Sequence, residues 1–260
     1  VKRHHYLRQL PVQTGLITQE SAYPVMDNQG YKTSHMYRYA CAVVFALSVG
    51  LLTIPYGLTL GVLGWALPLQ SRFALVKQWR RSFIFLERHI LGINVRVIGL
   101  ENIPDEPCVI VSNHQSAWET VGLQTYFSPC VYVLKKELLA IPFFGWGLAS
   151  VKMIAIERQS TIDSLKKVTD QGKDRLARGI SVIVFPEGTR SHPDDLLPFQ
   201  IGGAFLAVKC NALVLPVTHN AGRVWPKGAF LKGPGTITVI IGKAIDPAGL
   251  RAQEIGRASC

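Results

Sequence analysis

Cys108-Val109-Ile110-Val111-Ser112-Asn113-His114-Gln115-Ser116-Ala117-Trp118-Glu119 sets an apolar run directly before a polar turn. A short, β-branched run bounded by turn residues predicts a buried strand. It delivers a histidine to the strand's mouth, with a carboxylate following in the next turn. Further on, Phe185-Pro186-Glu187-Gly188-Thr189-Arg190 repeats the arrangement, an apolar strand ending in a charged turn.

Inside one helix, five residues separate two side chains by about 140°. If a helix begins near Ser116, however, His114 stays on the loop and Glu119 enters the first turn, where the two can meet. A carboxylate that accepts the proton of one ring nitrogen fixes the tautomer and leaves the other nitrogen to take a proton from a hydroxyl. Ser116-Ala117-Trp118-Glu119 is also a capping box, in which serine and glutamate only satisfy the helix start. Both readings stay open on these residues alone. In the second turn Gly188 permits close backbone approach, and Arg190 can grip a phosphate through two parallel hydrogen bonds. Glu187 can orient that arginine or bind a hydroxyl, or the hexapeptide is a surface turn with an incidental ion pair. Arg158 follows another strand and would emerge at the same sheet edge. Lys135 and Lys136 do likewise or are simply solvated.

Outward from these turns, strands are predicted at residues 95–98, 108–112, 130–134, 153–156, 181–185, 213–217 and 236–241, with helices at 117–127, 141–150, 161–178 and 203–210. The alternation predicts an α/β fold, a single domain over 94–253 with a mostly central β-sheet flanked by helices. Several mechanisms lack their parts. The chain has no G-x-S-x-G elbow, no phosphate-binding P-loop and no H-E-x-x-H helix, and Gly145-Trp146-Gly147 has no third glycine in place. His219, after the sixth strand, reads as a satisfied structural histidine.

Before the domain, residues 40–69 carry no charged side chain over thirty positions, more than the roughly 20 that cross a bilayer core. Pro55 divides the segment, so one kinked crossing and a helical hairpin in one leaflet both fit. Arg72, Lys77, Arg80, Arg81 and Arg88 follow it, which puts the domain on the cytoplasmic side of the membrane. Residues 70–93 read as an amphipathic linker helix, with Phe73, Val76, Trp79, Phe83, Leu86 and Ile90 on one side and the arginines on the other. Such a helix lies on an anionic surface or packs on the domain. Residues 1–39 are a polar lead, read as disordered or as not native. Residues 254–260 resemble a read-through adapter and are set aside, with a natural C-terminal helix expected to be missing.

Composition agrees with a membrane setting. Among 260 residues only 17% are charged, against roughly 25% in ordinary soluble domains, and mean hydropathy is +0.21. The net charge of +11 calls for an anionic partner, phospholipid or phosphorylated substrate. Nucleic acid is excluded because the basic residues are scattered and carry no nucleic-acid-binding motif. Five scattered cysteines without a C-x-x-C pair read as reduced packing thiols, with no metal site.

Taken together, these blocks resemble the glycerolipid acyltransferases, the bacterial lysophospholipid acyltransferase family. Its first block, histidine with an acid five residues on, is matched by His114 and Glu119. Its second ends in Arg158 of Ile154-Ala155-Ile156-Glu157-Arg158, its third is Phe185-Pro186-Glu187-Gly188-Thr189-Arg190, and its fourth is the apolar strand Leu213-Val214-Leu215-Pro216-Val217. The resemblance implies that His114, oriented by Glu119, deprotonates the free hydroxyl of lysophosphatidic acid for attack on an acyl thioester. It implies that Arg158, Glu187, Gly188, Thr189 and Arg190 bind the acceptor. The partners implied are lysophosphatidic acid, acyl-CoA or acyl-acyl carrier protein as co-substrate, and anionic membrane lipids, with no other cofactor, at the bacterial inner membrane. Many members carry aspartate in place of Glu119, and Gln200 stands where the family often has lysine. Two other readings stay in view: a non-catalytic membrane-surface protein binding lipid through Arg80, Arg81 and Arg88, and a lipid hydrolase using Ser112 or Ser116.

Overall fold

Strand β2 (Val109–Ser112) is buried at every position, as expected of a strand with parallel neighbours on both sides and both faces covered. Those neighbours are β5 (Ser181–Val184) and β6 (Val214–His219), registered so that Val111 lies opposite Val184 and Ser112 opposite Val217. This is a computed structural model, describing residues 35–157, 161–195 and 197–258. Arg158 and residues 1–34 of the polar lead fall outside them.

Beyond β5 the parallel run continues through β3 (Cys130–Lys135) and β4 (Ile154–Ile156). On the other flank β7 (Gly235–Ile241) is antiparallel to β6 and carries β1 (Ile93–Ile98) parallel to itself. The sheet order is β1-β7-β6-β2-β5-β3-β4, an α/β fold with one mostly parallel central sheet. Because β2, β3, β4, β5 and β6 run the same way, the turns after them leave from one edge. Ligands in open α/β sheets bind outside the carboxyl ends of the strands, so this edge is where a site is expected.

Helix α5 (Thr161–Ala177) packs on β4 and β5, α6 (Gly202–Cys210) on β2, and α7 (Ala252–Ala258) on α6. The tail set aside above supplies most of α7, with Ile255 fully buried. The helix predicted from residue 117 is shorter than its pattern: one turn, α3 (Glu119–Gly122), then a 3-10 turn Leu123–Thr125. Cys108 and Cys130 are buried packing groups, and burial pushes their thiols up to about 11 and about 12.

The apolar segment is one helix. Helix α1 (His35–Leu58) runs through Pro55 and continues as the π-helical turn Thr59–Leu63. The chain reverses at residues 64–68 and returns as α2 (Leu69–Leu86), so the hairpin pairs the apolar helix with the amphipathic one. Its halves are tied by Trp79 Nε1–H donating to Thr53 Oγ1 at 3.2 Å and by the edge-on Phe45–Phe83 pair at 5.5 Å. Trp225 stacks on Phe83 at 6.2 Å and fastens the hairpin to the domain.

Two charged side chains of the α2 stretch break the expected pattern. Arg80, placed by its charge on the outer side with Arg81 and Arg88, is buried and donates to the carbonyl and side-chain oxygens of Gln124. Glu87 is buried too, accepting the Trp118 Nε1–H at 2.8 Å. Trp118 belongs to the stretch quoted at the outset, so the hairpin's end is bonded to it directly.

Helix α4 (Phe144–Ser150) packs on α1. At Gly57 a Cβ would fall 2.5 Å from the backbone of Phe143, itself held at φ 62°. Helix propensity would favour alanine there by about 1 kcal/mol, but forced separation of packed elements costs about 1–3 kcal/mol. Gly57→Ala should therefore lower the unfolding temperature in a thermal melt of the detergent-solubilised protein. An unchanged or raised midpoint would show that the loop yields freely.

Candidate active site

The turn after β2 and the turn after β5 meet. His114 Nδ1 is hydrogen-bonded to Glu119 Oε1, the loop-to-helix geometry that a five-residue spacing allows. Glu119 is fully buried and its carboxylate also accepts the backbone N–H of Gln115 at 3.0 Å and of Ser116 at 2.9 Å. Half of the capping box is therefore present, the glutamate-to-Ser116 half. Ser116 Oγ instead accepts the Trp118 N–H at 3.1 Å. Capping and pairing with His114 are done by one carboxylate at once.

The histidine's plane is set by packing. Its ring stacks on Phe185 at 4.2 Å, and Tyr132 stacks on the same phenyl at 5.7 Å. Its main chain is held from the second turn: the N–H donates to Glu187 Oε1 at 3.0 Å, and the carbonyl accepts the Ser191 N–H at 2.8 Å. Glu187 thus serves the His114 backbone, and among the described residues no ion pair joins it to Arg190. Gly188 adopts φ 68°, a left-handed conformation that favours glycine. Thr189 is exposed and Arg190 half-buried.

Burial pushes the Glu119 carboxyl up to about 7, with His219, the N–H groups of Ser116 and Gln115, and the Arg190 charge pulling the other way. The acid is thereby poised near neutrality, the range in which acid–base groups work best.

A cavity of about 590 Å³ opens on His114. Its polar lining includes His114, Thr189, Arg190, Lys135 and Lys227, with Gly188 beside them; its apolar lining includes Gly57 and Leu60 of the hairpin, Val76 and Trp79 of α2, and Phe144 and Leu148 of α4. Lys136 is not part of it, being paired at the surface with Glu157 at 2.6 Å. Ser112 and Ser116 are buried and do not line the cavity, which removes the nucleophile that a serine hydrolase would need. The pattern above passed over Lys227, which lies in the loop before β7 and donates to the Arg190 carbonyl at 2.8 Å, with nothing local to mark it. His219, read as a satisfied structural histidine, lies against Glu119 and Asn113, brought there by strand pairing.

Fold and site set an acid–base histidine beside a cavity that carries both cations and an apolar lining. The acyltransferase family pattern matches residues 94–220. Over 184 residues the chain is 49% identical to the 1-acyl-sn-glycerol-3-phosphate acyltransferase of Pseudomonas aeruginosa, covering 70% of this chain and 72% of that one. Over 190 residues it is 33% identical to the Saccharomyces cerevisiae enzyme of that name, covering 69% and 61%. The crystal structure of the 1-acyl-sn-glycerophosphate acyltransferase PlsC from Thermotoga maritima shares the fold, with a TM-score of 0.71 at 23% identity over 86% of this chain and 93% of that one. The chain belongs to the 1-acyl-sn-glycerol-3-phosphate acyltransferase family.

Proposed function

We propose that the chain transfers an acyl group from a thioester, acyl-CoA or acyl-acyl carrier protein, to the free hydroxyl of 1-acylglycerol-3-phosphate, giving phosphatidic acid. The observation that carries this reading is His114, held by the buried Glu119, facing a cavity that combines cations with a long apolar lining. His114 Nε2 takes the hydroxyl proton as the oxygen attacks the thioester carbonyl; Glu119 holds Nδ1–H and stabilises the imidazolium that forms. Collapse of the tetrahedral intermediate breaks the C–S bond, and the imidazolium returns its proton to the leaving thiolate. No covalent enzyme intermediate is required. Arg190, with Arg158, Lys135 and Lys227, supplies charge for the acceptor phosphate, and the apolar lining takes an acyl chain. Glu187 and Ser191 keep His114 in place.

The hairpin supports residence on one leaflet, at the cytoplasmic face of a bacterial inner membrane. The inner side of α1 and its π-helical continuation, including Ala42, Phe45 and Leu60, is buried against the protein, while Val44, Leu47, Leu51, Leu58 and Val62 are exposed. A helix packed lengthwise on its own domain lies along a bilayer, with its apolar side inward. Arg81 and Arg88 remain exposed to meet anionic headgroups.

The direct test is to supply purified protein with lysophosphatidic acid and each donor in turn and to look for phosphatidic acid. Product from another lysophospholipid but none from lysophosphatidic acid would overturn the acceptor assignment. The pH profile is a second test. Glu119 must be ionised to hold the imidazolium, and its carboxyl titrates at about 7. The rate kcat/KM should therefore fall about tenfold per unit as pH drops below that value. A rate unchanged down to pH 5 would exclude an ionised Glu119 from the mechanism.

A further inference from the structure

We infer that His219 is a positioning residue for the His114 base, acting through Glu119: its Nε2–H edge lies against the carboxylate oxygen that His114 does not use. The inference rests on the reading of His114 and Glu119 as a general base. It begins with topology. Because β6 pairs in parallel with β2, Ser112 opposite Val217, the end of β6 emerges beside the turn that carries His114. The two chains are then latched reciprocally: Asn113 Oδ1 accepts the His219 N–H at 3.0 Å, and Asn113 Nδ2 donates to the His219 carbonyl at 2.9 Å.

The ring is fully enclosed, with Trp118 edge-on at 6.3 Å. The Ala221 N–H points at Nδ1 at 3.3 Å, which assigns the ring proton to Nε2. Nε2–H donates to the Asn113 carbonyl oxygen at 3.0 Å, and Glu119 Oε2 lies 3.4 Å from the same nitrogen. Burial lowers the ring's proton affinity, so a neutral ring sets the positive end of its N–H dipole beside the carboxylate. The Ser116 N–H meets the same oxygen at 2.9 Å. Four titratable or charged groups surround Glu119: His114 from its own turn, His219 from β6, Arg190 from the turn after β5, and Tyr132 from β3, whose hydroxyl donates to the Glu119 carbonyl at 2.8 Å.

A ring serving only as filler would be indifferent to the charge on Glu119. A positioning ring stabilises the ionised carboxylate and keeps Oε1 aimed at His114. Removing it raises the proton affinity of Glu119 further, so the acidic limb of the rate profile moves to higher pH.

The test uses the purified full chain in mixed micelles with lysophosphatidic acid and the thioester that it accepts. His219→Leu is made alone and in a Glu119→Gln background, and His219→Gln is the conservative variant. Alone, His219→Leu should lower kcat by about tenfold below neutral pH, the loss that goes with an acidic limb moved by about one unit. KM for the acceptor should be little changed, and the acidic limb should rise by about one pH unit. His219→Gln, which keeps an N–H donor, should recover most of both effects. In the Glu119→Gln background, where no carboxylate charge is left to hold, the leucine should cost less than about threefold. Equal losses in both backgrounds with an unmoved acidic limb would overturn the inference and leave the base reading intact. If His114→Ala and Glu119→Gln retain full activity, the base reading falls and this inference with it. Should His219→Leu not fold, His219→Asn replaces it, polar but ending short of Glu119, and the same outcomes decide.

Discussion

His114→Ala should lower turnover by about 10²- to 10⁴-fold, the usual worth of a positioned general base, and leave the protein folded and on the membrane. Alanine forfeits the ring's bond to Glu119, whose carboxylate keeps the N–H groups of Gln115 and Ser116. The ring stacks on Phe185, but the bonds from Glu187 and Ser191 go to the main chain of His114 and survive the substitution. Membrane residence depends on the apolar face of α1 and is untouched. The measurement is phosphatidic acid formation by purified protein at saturating donor, alongside a thermal melt and a flotation assay. Near-normal turnover with an unchanged melt would sink the general-base mechanism. Lost turnover with a collapsed melt would show that the ring's role is structural.

Arg190→Ala should reduce kcat/KM for lysophosphatidic acid by about 10²- to 10⁴-fold, since each hydrogen bond to a charged group is worth about 1.5–3 kcal/mol and a guanidinium offers two to a phosphate. A second effect accompanies the first. The Arg190 charge helps to hold the Glu119 carboxyl down, so its removal should also move the acidic limb upward. Assays well above neutral pH separate the two, because the Glu119 contribution vanishes there and the phosphate contribution does not. Arg190→Lys should recover the pH profile more fully than the acceptor KM, the charge being restored without the planar fork. If monoacylglycerol, which lacks the phosphate, loses as much rate as lysophosphatidic acid, Arg190 does not bind the phosphate.

The strands were legible because each is a short Val/Ile run closed by turn residues, a signal that needs no partner to be read. The His114–Glu119 pair was legible for a related reason, since five residues of chain suffice to make it. His219 was not, because its contact with Glu119 depends on which strand lies beside β2 and in what register, and neither is written locally. Lys227 is further removed still, placed by a loop. Arg80 misled in another way. Charge alone assigns it outward, yet it falls four residues from Val76 and three from Phe83, on the side of α2 that faces the protein. Its partner is Gln124, and Glu87 beyond the end of α2 holds Trp118 in the same way. The one-turn helix at Glu119 also departs from its longer apolar pattern, and Gly122 lies where a Cβ would strike the Trp118 ring at 2.3 Å.

Thr53, Tyr56, Gly57 and Leu60 belong to the hairpin and also wall the cavity, so under the proposed function the element that rests on the bilayer is part of the substrate's container. Exchange of a lipid between leaflet and enzyme then becomes lateral, a passage from one hydrocarbon environment to another. Each methylene drawn through water would cost about 0.8 kcal/mol, a barrier that grows with every carbon and would make long chains the slowest to move. Sideways entry removes that dependence on length. Delivery becomes a two-dimensional search along the membrane, limited by how often a lipid drifts past the hairpin and no longer by how seldom one leaves the bilayer.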